Sequence, residues 1–235
     1  MSIGKGSFIL VDYTVTVKET GEPVETTMEE DAKQLGIYRA GEVYEPKLII
    51  VGEGWVVKGV EEALTNLKLG EPVVIEVPPE KGVGPRDPSK IRMIPLRRFP
   101  KDSRPKVGDR VEVDGRVGIV RTVGAGRVQV DFNHPLAGKT LVYKMILRKT
   151  LESIEEKIEA LLRRRFPGID MGKTMIRITD RRVEIELPTD LQLAEGIQLA
   201  KRGFATDVAR YIDSIDEIVF VERYKAERRA SESSG

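Results

Sequence analysis

The chain has 235 residues, which is enough for two or more compact units of ~100–200 residues each. Its 39 Lys and Arg residues nearly balance its 38 Asp and Glu residues, which argues against a dedicated nucleic-acid protein, since such proteins usually carry a basic excess. The lack of cysteine excludes disulfides and thiol chemistry, and a single histidine, His134, argues against a zinc site.

Nothing in the sequence indicates a membrane or an export pathway. No apolar run approaches the ~18 residues of a membrane span, and the N-terminal MSIGKGSFIL lacks the apolar core and cleavage site of a signal peptide. We therefore expect a soluble, cytoplasmic protein with no membrane partner.

The first part of the chain alternates short strands with short helices. Strands are predicted at 8–17, 47–51 and 71–77, and helices at 29–36 and 61–69. Gly70 stands where a left-handed residue would end the second helix. Pro78 and Pro79 end the third strand because proline cannot donate to a sheet interior.

The middle of the chain has the character of a small all-β unit. Residues 106–132 predict three short strands, with turns at Asp114-Gly115 and at 124–126. Asp-Gly between alternating runs is a strong hairpin signal. A further strand is predicted at 140–147.

The last part predicts an α-β-β-α-β unit with its own core and, beyond it, a disordered tail. An apolar stripe at helical spacing runs from Leu151 to Phe166. Strands at 175–178, 183–187 and 218–221 flank a second helix that Asp190 would cap, with Leu193 on its inner face. The tail covers 225–235.

The glycine-rich stretch VGEGWVVKGVEEAL, residues 51–64, has the spacing of a strand-to-helix turn. A phosphate loop would need a Lys followed by Ser or Thr, whereas Lys58 is followed by Gly59, and Glu53 stands where phosphate would sit. The stretch is either a tight turn over an apolar core or an apolar floor with free backbone donors.

Three separated stretches resemble the FKBP-type peptidyl-prolyl isomerases, in particular long archaeal forms related to SlyD-type chaperones. They are VDYT at 11–14 with GEPVETT at 21–27, the run from VGEGWVVKG to GVGPRDP at 51–88, and DFNHPLAGKTLVYKM at 131–145. Their order and spacing agree along about the first 148 residues.

The resemblance implies an α+β fold in which an FKBP-like half-open antiparallel sheet surrounds a short helix. Residues 1–85 and 135–150 would form a discontinuous isomerase domain, and 86–134 an inserted all-β flap domain. Residues 151–224 would form a C-terminal α-β-β-α-β domain.

The resemblance also implies the chemistry, which is rotation about X–Pro bonds without metal or cofactor. It assigns catalytic roles to Tyr13, Glu25, Tyr143 and the Val57 backbone N–H. Substrate-binding positions would be Val24, Trp55, Val56, Val60, Val83, Leu136 and Ala137. Trp55 would lie on the rim of the pocket, and the alternative for it is a partly exposed packing residue.

Three departures from the family pattern leave a second function open. Val24, Val60 and Val83 stand where the family usually has aromatic rings, which predicts a wider pocket with weaker catalysis. The alternative is a catalytically weak or inactive holdase chaperone. A nucleic-acid contact through the arginines of 86–134 is a third hypothesis, which the lack of stacking aromatic rings disfavours.

The partners implied by the resemblance are unfolded, proline-containing polypeptides. They would be held by an apolar surface of the insert, for which the candidates are Val117, Ile119, Val128, Val130 and Phe132. A homodimer through the amphipathic helices of the C-terminal unit is a further hypothesis.

Overall fold

A computed structural model describes residues 3–100 and 104–224, which form a mixed helix and sheet fold of the predicted α+β class. The strands are β1 Phe8–Val17, β2 Pro23–Thr26, β3 Lys47–Ile50, β4 Pro72–Val77, β5 Ile91–Pro95, β6 Arg110–Val113, β7 Arg116–Gly124, β8 Arg127–Asp131, β9 Leu141–Leu151, β10 Met175–Thr179, β11 Arg182–Glu186 and β12 Glu217–Val221. The α-helices are α1 Glu29–Gln34, α2 Lys58–Glu61, α3 Ile154–Arg165, α4 Thr189–Gln192 and α5 Ile197–Tyr211. The tail predicted to be disordered, 225–235, lies outside the described residues.

Three sheets divide the chain into an N-terminal, a middle and a C-terminal unit. The N-terminal unit contains β1–β4, β9, α1 and α2, and its sheet has the order β2-β1-β9-β4, with β3 also paired to β1. The middle unit has the order β5-β8-β7-β6, and the C-terminal unit has the order β10-β11-β12 with α3–α5. Of the helices in these residues, none combines the length and apolar character that crossing a membrane requires.

β1 is the central strand of the N-terminal unit. It pairs antiparallel with β9 over its whole length, while β3 pairs with its first half and β2 with its second half. β1 is apolar on both faces because each face meets a core: Phe8 lies in the cluster shared with the C-terminal unit, and Ile9 and Val11 lie in the cluster of the N-terminal unit.

The helix predicted at 61–69 is wrong in position and length. α2 ends at Glu61, and only a 3-10 turn, Leu64–Asn66, follows it. Leu67 is already extended because the chain must reverse into β4 within a few residues. Gly70 is left-handed, with φ +75°, as predicted.

The three strands predicted within 106–132 are present as β6, β7 and β8, and a fourth strand, β5, comes before them in the middle unit. β5 pairs with β8 and was missed because its run, IRMIP, is short, contains an arginine and ends in proline. The two predicted turns are present, with positive φ at Asp114, Gly115, Ala125 and Gly126.

The second C-terminal helix is broken in two, because Gly196 is left-handed, with φ +77°. Asp190 lies inside α4, whose N-cap is Pro188, so the predicted aspartate cap is wrong. Leu193 falls in the break and is 85% exposed rather than on an inner face.

The C-terminal unit shares its core with the N-terminal sheet. Phe8, Leu48 and Ile50 of that sheet lie in one buried cluster with Leu161 and Phe204 of α3 and α5. The prediction of an independent C-terminal core is therefore wrong, since the two units bury apolar surface against each other.

Candidate functional site

Two tyrosines mark one end of the N-terminal sheet. Tyr13 on β1 and Tyr143 on β9 have ring centroids 6.2 Å apart, with the planes tilted by 51°. The register places both Tyr143 and Glu25 opposite Val15, the residue two positions beyond Tyr13. Because residues at i and i+2 share a face, both tyrosines and the glutamate lie on the same side of the sheet.

Aliphatic side chains form the surroundings of this aromatic pair. Val60 on α2 is completely buried in the core cluster of the N-terminal unit. Half-buried side chains pack against that same cluster: Tyr13, Val24, Val56, Val57, Val83, Leu136 and Tyr143. Ala137 is buried in the 134–138 turn, outside the cluster. Most of the expected apolar residues therefore pack against one core cluster.

Both tyrosine hydroxyls stay protonated at neutral pH. Burial, followed by the charge of the Glu25 carboxylate and a hydrogen bond to it, raises the pKa of Tyr13 well above its ordinary value of 10.0. Burial and the same carboxylate raise the pKa of Tyr143 to about 12. The Tyr143 hydroxyl is therefore available as a hydrogen-bond donor, whereas the single proton of the Tyr13 hydroxyl is donated to Glu25.

A buried polar cluster fixes the backbone of Tyr13, and it contains residues that the site prediction missed. The Tyr13 N–H donates to Thr27 Oγ1 at 3.0 Å, and the Thr27 hydroxyl donates to Asp12 Oδ1 at 2.7 Å. Arg148 Nε donates to Asp12 Oδ2 at 2.6 Å. Asp12 and Thr27 stand inside the VDYT and GEPVETT stretches, so the family resemblance could have pointed to them. Arg148 is 136 residues away from Asp12, and no local pattern connects the two.

The loop between β3 and α2 presents a backbone donor beside the tyrosines. Val57 is the N-cap of α2, and its carbonyl accepts from the Val60 and Glu61 N–H groups at 2.9 and 3.0 Å. Within the described residues, the Val57 N–H itself has no protein acceptor. An N-cap amide of this kind is free to bind a ligand carbonyl.

Gly59 allows α2 to pack closely on β4. A Cβ at this position would lie 2.8 Å from Val77 Cγ1 and 3.1 Å from Val77 Cγ2. The glycine after Lys58 is therefore a packing requirement, and Lys58 itself is exposed.

The middle unit joins the site through a charged junction. The Asp131 carboxylate, 1% exposed, accepts from Arg121 Nε at 3.2 Å and from Asn133 Nδ2 at 2.8 Å, and it also pairs with Arg86. The Gly138 N–H donates to the Gly84 carbonyl at 2.9 Å, which ties the two connecting segments together.

Trp55 has different neighbours from those predicted. Its indole packs against the cluster shared with the C-terminal unit, and Nε1–H donates to the Tyr211 hydroxyl at 3.3 Å. The prediction of a rim position among the site valines is therefore wrong, because the indole ring instead contacts Tyr211 and Arg164 of the C-terminal unit.

The apolar candidates in the middle unit divide between core and surface. Val128 and Val130 are completely buried, and Phe132 packs against their cluster, so these three fill the interior. Val117 is 46% exposed, and Met93, which was not predicted, is 50% exposed. Ile119 is half-buried.

A separate cavity of about 510 Å³ lies between the N-terminal and C-terminal units. It has an apolar base that includes Leu10, Leu48 and Leu151. Both Glu159 and Arg163 stand on its rim, so its lining carries both signs of charge. None of the predicted site residues lines it.

Three family models match the chain in succession. They are "FKBP-type peptidyl-prolyl cis-trans isomerase" over residues 1–96, "FKBP26, IF domain" over 92–136 and "FKBP26_C-terminal" over 154–225.

Curated relatives match the chain over about 145 residues. A short-type peptidyl-prolyl cis-trans isomerase of Methanocaldococcus jannaschii is 38% identical over 147 residues, which are 62% of this chain and 92% of that protein. The FKBP-type peptidyl-prolyl cis-trans isomerase SlyD of Treponema pallidum is 30% identical, covering 59% of this chain and 80% of that protein. An Escherichia coli FKBP-type 16 kDa peptidyl-prolyl cis-trans isomerase is 27% identical, covering 60% of this chain and 88% of that protein.

Proposed function

Because the chain belongs to the FKBP-type peptidyl-prolyl cis-trans isomerases, we propose that its catalytic site is the apolar surface around Tyr13, Val57 and Tyr143. The observation that carries this proposal is the Val57 N–H at the N-cap of α2, which has no acceptor among the described residues and belongs to a residue packed against the same core cluster as the tyrosine pair. The substrate is an X–Pro bond in an unfolded or partly folded polypeptide.

Rotation about the X–Pro bond breaks no covalent bond, so it needs a suitable apolar site rather than a nucleophile. The C–N bond of an amide rotates over a barrier of ~18–20 kcal/mol that arises from resonance. A dry apolar site disfavours the charge-separated resonance form, and a site that fits the twisted bond better than the planar one lowers the barrier. Each ~1.4 kcal/mol gained at the twisted state raises the rate tenfold.

In this proposal, each site residue has a distinct role. The proline ring packs on Val56, with the fully buried Val60 in the core beneath it, and the Val57 N–H donates to a substrate carbonyl. The Tyr143 hydroxyl, which stays protonated at neutral pH, donates to the twisted amide. The Tyr13 ring forms part of the wall, since its single hydroxyl proton goes to Glu25. Glu25 orients Tyr13 as its hydrogen-bond acceptor. Val24, Val83, Leu136 and Ala137 complete the apolar walls.

We further propose that residues 86–134 act as an inserted flap that holds unfolded chains near the catalytic site. The exposed side chains of Met93 and Val117 support this role, and tethering would raise the local concentration of proline segments. In this scheme, 1–85 with 135–150 form the isomerase domain and 151–224 the C-terminal domain. The cytoplasm stays the predicted compartment.

A catalytically weak holdase is the second candidate function, and one observation favours it. The three positions where the family usually has rings, Val24, Val60 and Val83, leave the site lined largely by aliphatic side chains. Aromatic walls bury more area and are more rigid than valine walls.

A protease-free isomerisation assay on a proline-containing peptide separates the two candidates. Catalysis by the parent chain, lost in both Tyr13→Ala and Tyr143→Ala, supports the isomerase site. A parent chain that suppresses aggregation of an unfolded protein without accelerating isomerisation supports the holdase.

The flap proposal has its own test in the same parent chain. Met93→Ser with Val117→Ser should weaken aggregation suppression. Val74→Ser, which alters another exposed apolar side chain on the N-terminal unit, should leave the suppression intact. Equal suppression by all variants would contradict the flap role.

We also retain a homodimer through the C-terminal unit as a proposal. The apolar stripes of α3 and α5 are used inside the protein, so Leu193 and Leu199, 85% and 76% exposed, would have to form the contact. Light scattering should give twice the monomer mass for the parent and the monomer mass for Leu193→Glu with Leu199→Glu. A monomeric parent would contradict the proposal.

A further inference from the structure

The loop that carries the Val57 N–H is anchored at its two ends in its own unit but has few contacts there at its centre. It runs over 51–57, and Gly52 and Gly54 have positive φ values of 87° and 66°. Glycines in this region give a chain wide conformational freedom. Inside the N-terminal unit, Val51 is hydrogen-bonded to Gly6 and Ser7, and Val56 and Val57 pack against the core. Between these ends, the Gly52 N–H donates to Glu61 Oε1 at 2.5 Å and the Glu53 N–H to the Ile50 carbonyl at 3.3 Å. A donor that must meet a substrate carbonyl gains from further support of the loop centre.

Trp55 connects that loop to the C-terminal unit. The Trp55 and Tyr211 rings are 5.6 Å apart at an interplanar angle of 77°, an edge-to-face contact. The guanidinium of Arg164 lies 4.0 Å from the centroid of the Trp55 ring. A cation over an indole and an edge-to-face aromatic pair are both stabilising arrangements.

The two residues that hold Trp55 are themselves fixed. Arg164 Nη1 donates to the buried Asp207 carboxylate at 3.0 Å, which Arg165 also contacts through two hydrogen bonds. The Tyr211 ring packs edge-to-face on Phe8 of β1, with centroids 6.4 Å apart. Because these residues belong to packed helices, they form a firm surface against the loop.

A second contact joins the same two elements. Arg210 Nη2 donates to Glu53 Oε2 at 2.7 Å, one residue before Gly54. Glu53 is largely shielded, with 21% of its side chain exposed. Residues 53 and 55 of the loop are therefore both held by the C-terminal unit, on either side of the Gly54 hinge.

We propose that the C-terminal unit positions the catalytic loop through Trp55, with Tyr211 and Arg164 as the positioning residues. This inference rests on the proposed role of the Val57 N–H. None of the three side chains touches the proline in this scheme. They restrict the loop so that Val56 and the Val57 N–H keep one geometry, and loosening the contact lowers catalysis because the donor is then placed correctly for less of the time.

Matched substitutions in the full-length chain test the inference. Arg164→Met removes the cation and keeps much of the side-chain bulk, while Arg164→Lys restores a cation. Tyr211→Phe removes the hydroxyl and keeps the ring. The controls are Arg163→Met, on the neighbouring arginine that pairs with Glu45, and Tyr224→Phe, on an exposed tyrosine of the same unit.

Two readouts are needed, because activity alone would not separate positioning from folding. The first is hydrogen exchange of the Val60 and Glu61 amides, which donate to the Val57 carbonyl. The second is kcat/KM for a proline-containing peptide.

For Arg164→Met we expect both amides to exchange about threefold to tenfold faster and kcat/KM to fall by a similar factor. Amides of β1 and β9 should be unchanged. Tyr211→Phe should shift both readouts in the same direction by about twofold. Arg164→Lys should recover part of the loss, and the controls should match the parent.

Unchanged exchange at Val60 and Glu61 in both Arg164→Met and Tyr211→Phe would overturn the inference. If Arg164→Met loses its folded far-UV spectrum, Tyr211→Phe and Trp55→Phe, which retain a ring, decide instead. If the parent chain has no isomerase activity, the proposed function fails, but the exchange data still decide whether Trp55 holds the loop.

Discussion

Replacing Thr27 with valine should disturb the site through a single hydroxyl. Thr27 is 3% exposed and has nearly the same shape as valine, so packing is retained. The substitution removes the hydrogen bond to Asp12 Oδ1 at 2.7 Å and the acceptor, at 3.0 Å, of the Tyr13 N–H. It therefore tests the polar cluster without creating a cavity.

The magnitude follows from the two lost bonds. A hydrogen bond to a charged group contributes about 1.5–3 kcal/mol, and a buried N–H left without a partner costs about 1–3 kcal/mol. Asp12 keeps Arg148 at 2.6 Å, so its carboxylate is not stranded. We expect the free energy of unfolding to fall by about 3 kcal/mol.

Urea denaturation gives this quantity, and the peptide isomerisation assay reports the site. We expect kcat/KM to fall at least about threefold, because the Tyr13 N–H loses its hydrogen bond to Thr27 and the Tyr13 backbone is then less firmly positioned. Thr150→Val, on β9 of the same sheet, is the control and should change neither value. A loss of stability below about 1 kcal/mol with unchanged kcat/KM would refute the role given to the cluster.

Three further predictions concern the tyrosines, the helix glycine and the pocket wall. Since the pKa of Tyr143 is raised from 10.0 to about 12, its contribution to stability should be complete below pH 10 and disappear as pH rises towards 12. Denaturation curves at several pH values check this, and a Tyr143→Phe variant should show a smaller alkaline loss. Gly59→Ala should lower the free energy of unfolding by about 1–3 kcal/mol, because the new Cβ meets Val77 at 2.8 Å; unchanged urea curves would contradict it. Val24→Phe should tighten binding of a proline-containing peptide severalfold, measured by calorimetry, because a half-buried ring adds apolar area; weaker binding would contradict the assigned wall position.

The sequence pattern predicted those strands and turns that are determined by a few neighbouring residues. β1 follows from a ten-residue apolar and β-branched run. The Asp114-Gly115 turn follows from two residues that tolerate positive φ, and both adopt it. β5 was missed because five residues ending in proline give too little pattern without their partner strand.

Long-range contacts decided what could not be predicted. The hydrogen bond between Trp55 and Tyr211 joins residues 156 positions apart, so no local pattern could reveal that the indole turns towards the C-terminal unit. The break at Gly196 leaves Leu193 exposed although its spacing fits a helix stripe. The shared core likewise depends on Phe8 meeting α3 and α5 across the whole chain.

The proposed site came from resemblance to a family rather than from periodicity. Tyr13, Val57 and Tyr143 are common residue types, and only their place within the three matching stretches distinguished them. Asp12 and Thr27 lie in those stretches too, but their support of Tyr13 becomes visible only when β1 and the segment after β2 are adjacent.

The central claim is that a proline segment binds at the apolar surface formed by Tyr13, Val57 and Tyr143. An NMR titration of the labelled full-length chain with an unlabelled proline-containing peptide tests it most directly. The account predicts saturable shifts of the Val57 amide and of the Tyr13 and Tyr143 ring signals at one shared affinity. Saturable shifts confined to the middle unit, with the Val57 amide unmoved, would contradict it.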